Sequence, residues 1–151
     1  DYWHEIDGSG ATALNMPGGG SLHPPTAETV AAKMHYVHQD GQAVYKFAVR
    51  KMAEAAEILL TRNGVTGKDL SCFIPHQANK RIILSTAERL GMPEDRVVIN
   101  IDRFGNTTAA TIPMAMQTAM EEGRLKKGDL VLLASVGAGF TVGATLLQWE
   151  I

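Results

Sequence analysis

The chain has 151 residues, of which 45% are hydrophobic and 20% are charged, a composition typical of one globular domain. Its 14 basic and 16 acidic side chains leave a formal net charge of −2, so no overall positive excess favours nucleic acid or an anionic membrane. No stretch approaches the roughly 20 consecutive apolar residues of a membrane-spanning helix, and the start lacks the basic and apolar regions of a signal peptide. We therefore expect a soluble, cytoplasmic protein with neither a nucleic acid nor a membrane as its partner.

The only cysteine, Cys72, excludes an internal disulfide framework and agrees with a reducing compartment. It lies in the middle of a short run of strand-forming residues, so we interpret it as a buried and inert thiol. The chain begins at Asp1 and not at a methionine, which suggests that it is a fragment or a cleavage product.

The first half of the chain predicts a loop-rich segment followed by two helices with a strand between them. Glycine and proline are frequent over residues 1–26, which excludes a long helix and predicts short strands and loops. Apolar residues then recur at steps of three and four over residues 41–62, which predicts a long amphipathic helix that ends at Asn63 and Gly64. A buried strand over residues 70–74 and a helix over about residues 80–90 follow.

The second half predicts a strand, a third helix and a β-hairpin. The strand covers residues 97–101, and Thr107 or Thr108 is predicted to cap a helix that starts near Ala109 or Ala110. Pro113 fits only in the first turn of that helix. Two apolar strands, residues 130–136 and 140–149, are separated by the glycine turn 137–139. The order of elements predicts a layered α/β unit with a mixed sheet.

Unusual polar or glycine-rich residues follow three of the predicted strands. His76 follows the first strand, Asn106 follows the second, and the third leads into the glycine turn 137–139. Ligands collect where parallel strands end, so parallel neighbours would bring these three features to one edge of the sheet. Two side-chain donors beside bare backbone N–H groups would suit the stabilisation of an oxyanion.

Each feature also has a purely structural interpretation. A histidine after a strand is commonly a structural hydrogen-bonding group, Gly105 with Asn106 is the usual composition of a turn, and residues 137–139 suit a hairpin connection. Their coincidence at adjacent strand ends favours a functional site. A metal site is a weaker alternative, because the candidate ligands form no recognisable set of three; these are His35, His38 and either His23 or Asp40.

Several strings of the sequence closely resemble one family, β-ketoacyl-acyl-carrier-protein synthase III, a thiolase-fold condensing enzyme. They are PHQAN (75–79), NIDRFGNTTAATIP (100–113) and GDLVLLASVGAGFTVGATLLQW (128–149), joined by the similar MPGGGS (16–21) and VYKFAVRKMAEAA (44–56). The resemblance implies a thiolase-like α/β fold, of which this chain is the C-terminal half, one αβα-layered half with a mixed sheet. Residues 1–40 would be a strand and loop segment that continues from the missing first half, and residues 41–151 the C-terminal condensing-enzyme domain.

The family has a Cys-His-Asn active site, and the resemblance assigns its histidine to His76 and its asparagine to Asn106. The cysteine nucleophile lies in the N-terminal half, so we expect this chain to be inactive alone. The Ala138 backbone N–H matches an oxyanion donor, although many relatives have GGGF where this chain has GAGF. Two further groups are implied by position. The pantetheine arm would be lined by Gly41, Gln42, Ala78 and Asn79. The carrier protein would dock on Lys46, Gln77, Lys80 and Arg81.

The implied reaction is the decarboxylative Claisen condensation of acyl-CoA with malonyl-acyl-carrier protein, which starts fatty acid synthesis. The acyl-CoA and the phosphopantetheine-linked malonyl group are substrates, and neither a metal nor a permanently bound cofactor is required. The implied partners are the N-terminal half, the acyl carrier protein and a second copy in a homodimer. Two alternatives stay open. The chain could belong to a related enzyme of quinolone or polyketide starter synthesis, since Val142 stands where many relatives have tryptophan, or to a non-catalytic dimerisation or carrier-binding half.

Overall fold

The structure is a computed structural model that describes residues 1–151. Its strands are β1 (Tyr2–Ile6), β2 (Leu14–Asn15), β3 (His38–Gln39), β4 (Cys72–Pro75), β5 (Leu130–Gly137) and β6 (Thr141–Gln148). Its helices are α1 (Ala27–Ala31), α2 (Gly41–Arg62), α3 (Lys80–Arg89), α4 (Ile101–Phe104) and α5 (Thr111–Glu121). Short 3-10 turns cover residues 8–10, 94–96 and 108–110.

Four strands form one mixed sheet in the order β1-β6-β5-β4. β4 runs parallel to β5, whereas β6 runs antiparallel to both β5 and β1. The predicted mixed sheet and the predicted hairpin of β5 and β6 are therefore confirmed. β2 and β3 form a separate two-stranded ribbon.

The sheet lies between two helical layers, as expected for the αβα arrangement. One core joins α2 and α3 to the sheet face that carries Phe73, Leu132 and Leu146. A smaller core joins α5 to the opposite face, where Cys72, Ile74 and Val131 lie. These apolar faces follow from the alternation of side chains along each strand. None of the helices combines the length and the apolar character that crossing a bilayer requires.

The three long helices confirm the periodicity analysis, and two begin at side-chain caps. The Asp40 carboxylate accepts hydrogen bonds from the N–H groups of Gln42 and Ala43 at the start of α2. The Asn79 side-chain oxygen accepts one from the N–H of Arg81 at the start of α3. Such caps satisfy donors that have no partner inside the helix.

The strand predicted over residues 97–101 is wrong, because only Val97 pairs with Phe73 before the chain turns into α4. The Val98 N–H still donates to Phe73 O at 2.9 Å, as in a parallel ladder. The next bond of the ladder would need an N–H on Pro75, and proline has none. The Gln77 side chain instead donates to Val98 O at 3.0 Å. The pairing therefore ends after one step.

The predicted cap of the third long helix is also wrong. α5 begins at Thr111 after Ala110, and no side chain caps it. Thr107 and Thr108 belong to the preceding turn, with Thr108 in the left-handed conformation at φ 53°. Pro113 does lie in the first turn of α5, as predicted.

Residues 1–40 contribute to the same sheet as the rest of the chain, because β1 pairs with β6 over its full length. The peptide groups of Asp7 and Phe140 also exchange two backbone hydrogen bonds, with N···O distances of 2.7 and 2.5 Å. The division between residues 1–40 and 41–151 stays a prediction, and residue 41 is where α2 begins.

Cys72 has the buried position that the sequence predicted. Its side chain is 1% exposed within the core between α5 and the sheet, and no disulfide forms. Burial raises the pKa of its thiol to about 11, so the thiol stays protonated near neutral pH. The predicted burial of the thiol is confirmed, and its inertness stays a prediction.

Candidate active site

Three segments end at the same edge of the sheet. His76 follows β4, the glycine turn 137–139 follows the parallel strand β5, and the segment beside β4 leads through α4 to Asn106. The His76 N–H donates to Ala134 O at 2.8 Å, which extends the parallel ladder by one residue. The sequence-predicted features therefore share the edge where α/β folds collect ligands.

His76 is half-buried and held by one side chain. Its Nδ1 lies 2.5 Å from Thr111 Oγ1, and no hydrogen bond engages its Nε2. Burial lowers the pKa of the imidazole, because the charged form loses solvation. The ring is therefore neutral at physiological pH and can donate from only one of its two nitrogens.

Asn106 is exposed and oriented by its own turn. Its Oδ1 accepts a hydrogen bond from the Thr108 N–H at 2.9 Å, while its Nδ2 has no partner in the chain. Gly105, at φ 67°, allows the chain to change direction just before Asn106. The amide is thus fixed at its oxygen and free to donate from its nitrogen.

A short chain of polar contacts connects Asn106 to His76. Asn106 Oδ1 contacts Thr108 N, the Thr111 hydroxyl lies 2.9 Å from Thr108 O, and the same hydroxyl contacts His76 Nδ1. Thr108 is a β-branched residue at positive φ, a strained conformation that costs about 1–3 kcal/mol and occurs preferentially at functional sites. Sequence analysis missed Thr111, although the threonines of NTTAAT were the available signal.

The glycine turn is attached to the N-terminal segment through Phe140. The Phe140 ring stacks on Phe47 with centroids 4.2 Å apart, and a Cβ added at Gly10 would lie 2.1 Å from that ring. The Thr141 hydroxyl donates to Ala138 O at 2.5 Å. The exposed Ala138 therefore sits on a turn that is fixed on both sides.

Gln77 does not have the exposed position that carrier docking requires, and that prediction is corrected. Its side chain is fully buried, with Nε2 donating to Pro75 O and Val98 O and Oε1 accepting from the Asn100 N–H. The bonds to Val98 and Asn100 tie the segment after β4 to the segment that leads to Asn106. Gln77 is thus a structural link between the two candidate site loops through its bonds to Val98 and Asn100.

The other implied binding residues lie on the surface. All seven are exposed, namely Gly41, Gln42, Lys46, Ala78, Asn79, Lys80 and Arg81. The Arg81 guanidinium lies 5.5 Å from the centre of the Tyr45 ring, on a groove between α2 and α3. Their proposed roles stay predictions.

The histidines of the metal alternative do not gather into a ligand set. No three histidine, cysteine or acidic side chains lie close enough to hold a metal ion. His35 instead contacts the Thr29 hydroxyl through Nε2 at 2.9 Å.

The structure places a neutral imidazole, from His76, and a carboxamide, from Asn106, at the same sheet edge as a loop with exposed backbone. Neutral donors aimed at one point stabilise an oxygen that gains negative charge, and they need no metal. Acyl transfer and carbanion formation next to a carbonyl both generate such an oxygen.

Comparison with known proteins shows the family of the chain. Residues 60–149 match the family model described as 3-Oxoacyl-[acyl-carrier-protein (ACP)] synthase III C terminal. A beta-ketoacyl-[acyl-carrier-protein] synthase III of Koribacter versatilis is 64% identical over 99% of this chain, and that of Solibacter usitatus is 58% identical over the same share. The chain spans 45% of the length of each of these curated relatives.

A solved structure shows the same fold. The 3-oxoacyl-[acyl-carrier-protein] synthase III of Aquifex aeolicus superposes with a TM-score of 0.84 at 38% identity, covering 98% of this chain and 43% of that one. The thiolase-like α/β fold expected from the sequence is therefore confirmed. The chain belongs to the 3-oxoacyl-[acyl-carrier-protein] synthase III family and corresponds to its C-terminal half.

Proposed function

We propose that this chain supplies the carbanion-stabilising half of the active site of a ketoacyl synthase. That enzyme would start fatty acid synthesis by condensing acyl-CoA with malonyl-acyl-carrier protein. The observation that supports it best is the chain of polar contacts that joins Asn106 to His76 through Thr108 and Thr111. It leaves one nitrogen of each catalytic side chain free for substrate. The family of the chain supports the reaction class.

The proposed chemistry begins with the malonyl thioester. Its C–C bond to the carboxylate breaks, CO₂ leaves, and the electron pair moves into an enolate whose charge rests on the thioester oxygen. The Nε2–H of His76 and the Nδ2–H of Asn106 would donate to that oxygen. The carbanion then attacks the acyl carbon held on the nucleophilic cysteine, and the cysteine sulfur leaves as thiolate. The Ala138 N–H would stabilise the oxygen of the attacked acyl group.

The nucleophile must come from another part of the protein, because Cys72 is buried and protonated. We assign it to an N-terminal half, and call the two halves together the complete protein.

An incompletely covered face of the sheet supports the N-terminal half as a partner. On β1 the side chains of Tyr2 and Ile6 are 66% and 77% exposed, and α5 packs only toward the β4 side of that face. Apolar surface of this kind marks an interface. A homodimer of such complete proteins in the cytoplasm is part of the same proposal.

The proposed function is tested by the complete protein and this chain assayed side by side. With acetyl-CoA and malonyl-acyl-carrier protein, the complete protein should release CO₂ and form the β-ketoacyl product, and this chain alone should form none. A complete protein that binds the carrier but releases no CO₂ would support the non-catalytic alternative instead.

The identity of the acyl-CoA that primes the reaction is a separate question, and the function of one relative is relevant to it. The priming β-ketosynthase of the R1128 polyketide pathway has 31% identity to this chain, a TM-score of 0.85, and coverage of 99% of this chain and 44% of its own. A polyketide starter function is therefore the second candidate. The acyl-CoA with the highest kcat/KM in the same assay distinguishes the two.

Carrier docking is proposed for the basic residues beside the site entrance, chiefly Arg81 with Lys46 and Lys80. All three are exposed and lie at or near the N-terminal turns of α2 and α3. Positive charge there would attract an acidic carrier and make the affinity fall with added salt.

Replacing Arg81 with glutamate should raise the KM for malonyl-carrier protein at low salt and leave acylation by acyl-CoA unchanged. The reason is that reversing one rim charge changes association with the carrier more than it changes the chemistry. Lys127→Glu is the matched control, since Lys127 is an exposed cation before β5, at the opposite edge of the sheet. Equal KM values for the two variants would rule out docking at Arg81.

A further inference from the structure

The Thr111 hydroxyl occupies a decisive position beside His76. It is 2.5 Å from His76 Nδ1 and 2.9 Å from Thr108 O, and the Thr111 side chain is almost fully buried. A hydroxyl has one proton and can donate it to only one of these acceptors at a time. The choice determines the chemistry of the imidazole.

Two arrangements are possible for a neutral ring. If the hydroxyl donates to Thr108 O, its oxygen accepts from a proton on His76 Nδ1, and Nε2 is left with a bare lone pair. If the hydroxyl donates to Nδ1, the ring proton is on Nε2. Only the second arrangement gives His76 a donor on its free side.

The backbone permits the second arrangement. Thr108 O already accepts a hydrogen bond from the backbone N–H of Thr111, so it keeps a partner when the hydroxyl turns away. Thr111 is the only partner of Nδ1 and satisfies it in either arrangement, as acceptor in the first and as donor in the second. The proposed function selects the second arrangement, because only a proton on Nε2 provides a donor for the enolate oxygen.

We infer that Thr111 is a positioning residue whose hydroxyl donates to His76 Nδ1 and thereby holds the neutral ring with its proton on Nε2. This inference rests on the proposed function, because Nε2–H is the group that would stabilise the enolate oxygen. It extends that function by naming the residue that fixes the tautomer. Thr111 itself does not touch the substrate.

Two replacements separate the hydroxyl from the shape of the side chain. Thr111→Val removes the hydroxyl and keeps the branched shape, whereas Thr111→Ser keeps the hydroxyl. In the complete protein, Thr111→Val should lower kcat for malonyl decarboxylation by about 10- to 100-fold, as is typical when a supporting hydrogen bond of a functional histidine is lost. Thr111→Ser should restore most of the rate. The KM for malonyl-carrier protein and the acylation by acyl-CoA should stay near wild type in both.

A spectroscopic measurement tests the tautomer without relying on any variant's activity. In ¹⁵N-histidine spectra of the complete protein, the resonances of His76, assigned by their loss in His76→Ala, should show a proton on Nε2 and an acceptor at Nδ1. Thr111→Ser should match this spectrum, and Thr111→Val should show both tautomers in exchange. A wild-type proton on Nδ1 would overturn the inference, as would a Thr111→Val enzyme with the wild-type rate.

His76→Ala in the same decarboxylation assay distinguishes the two levels of the proposal. If His76→Ala retains the wild-type rate, the proposed function fails. If His76→Ala is inactive and Thr111→Val is as active as wild type, only the role of Thr111 fails.

Discussion

Alanine in place of His76 or Asn106 in the complete protein is expected to slow malonyl decarboxylation by about 100- to 1,000-fold, the usual loss when one oxyanion donor is removed. Both side chains are proposed to serve the same oxygen, so the double variant should lose less than the product of the two single losses. Release of CO₂ from malonyl-carrier protein is the measurement. Acylation by acyl-CoA provides the reference, since it should be affected much less.

Asn106→Asp is the sharper variant at the second position. Aspartate keeps the oxygen that accepts from the Thr108 N–H at 2.9 Å, so the turn should survive. It replaces the donor with a carboxylate oxygen, which would repel the enolate. We expect Asn106→Asp to be at least as inactive as Asn106→Ala. Activity near wild type in Asn106→Asp would show that the amide N–H₂ has no part in catalysis.

Removal of the Phe140 ring is expected to have the largest effect on stability. The ring is 5% exposed, stacks on Phe47 and fills the space above Gly10, where a cavity would remain. Phe140→Ala should therefore cost about 3–5 kcal/mol of unfolding free energy. Because Phe140 also fixes the turn that carries Ala138, acyl loading should fall as well. Chemical denaturation and acylation of the complete protein measure the two effects.

Phe104→Ala is the matched control for stability. Phe104 is 40% exposed and belongs to neither hydrophobic core, so its removal should lower the unfolding free energy clearly less than the removal of Phe140. Gly10→Ala tests the same contact from the other side, since its methyl group would collide with the Phe140 ring. If Phe140→Ala and Phe104→Ala were equally stable, the packing of Phe140 would not hold the turn.

Much of the fold could be predicted because its signals are local. The period of apolar residues in α2 and α3, and the apolar runs of β4, β5 and β6, were sufficient to place those elements. The strand predicted at 97–101 was wrong although its β-branched residues are typical of a strand. Whether the segment pairs beyond Val97 depends on Pro75, which lacks the N–H that would continue the ladder. That pairing cannot be read from the segment itself.

The sequence was sufficient to propose the principal residues of the candidate site and not their supports. His76 and Asn106 follow predicted strands, which left a structural interpretation open for both, and the match to the family strings selected them as site residues. Thr111 contacts His76 across 35 residues, and Gln77 bonds Val98 across 21. Such partners are set by how α5 and the segment after β4 pack, which sequence spacing does not reveal. The burial of Gln77 also shows why proximity to a candidate catalytic residue in the sequence is a poor guide to surface exposure.

The most direct test of the account is a crystal structure of the complete protein with a malonyl thioester analogue that cannot lose CO₂. We expect His76 Nε2 and Asn106 Nδ2 to lie within hydrogen-bonding distance, about 2.7–3.2 Å, of the one thioester oxygen. A thioester oxygen bound elsewhere, with either nitrogen directed at bulk solvent, would contradict the proposed role of this chain.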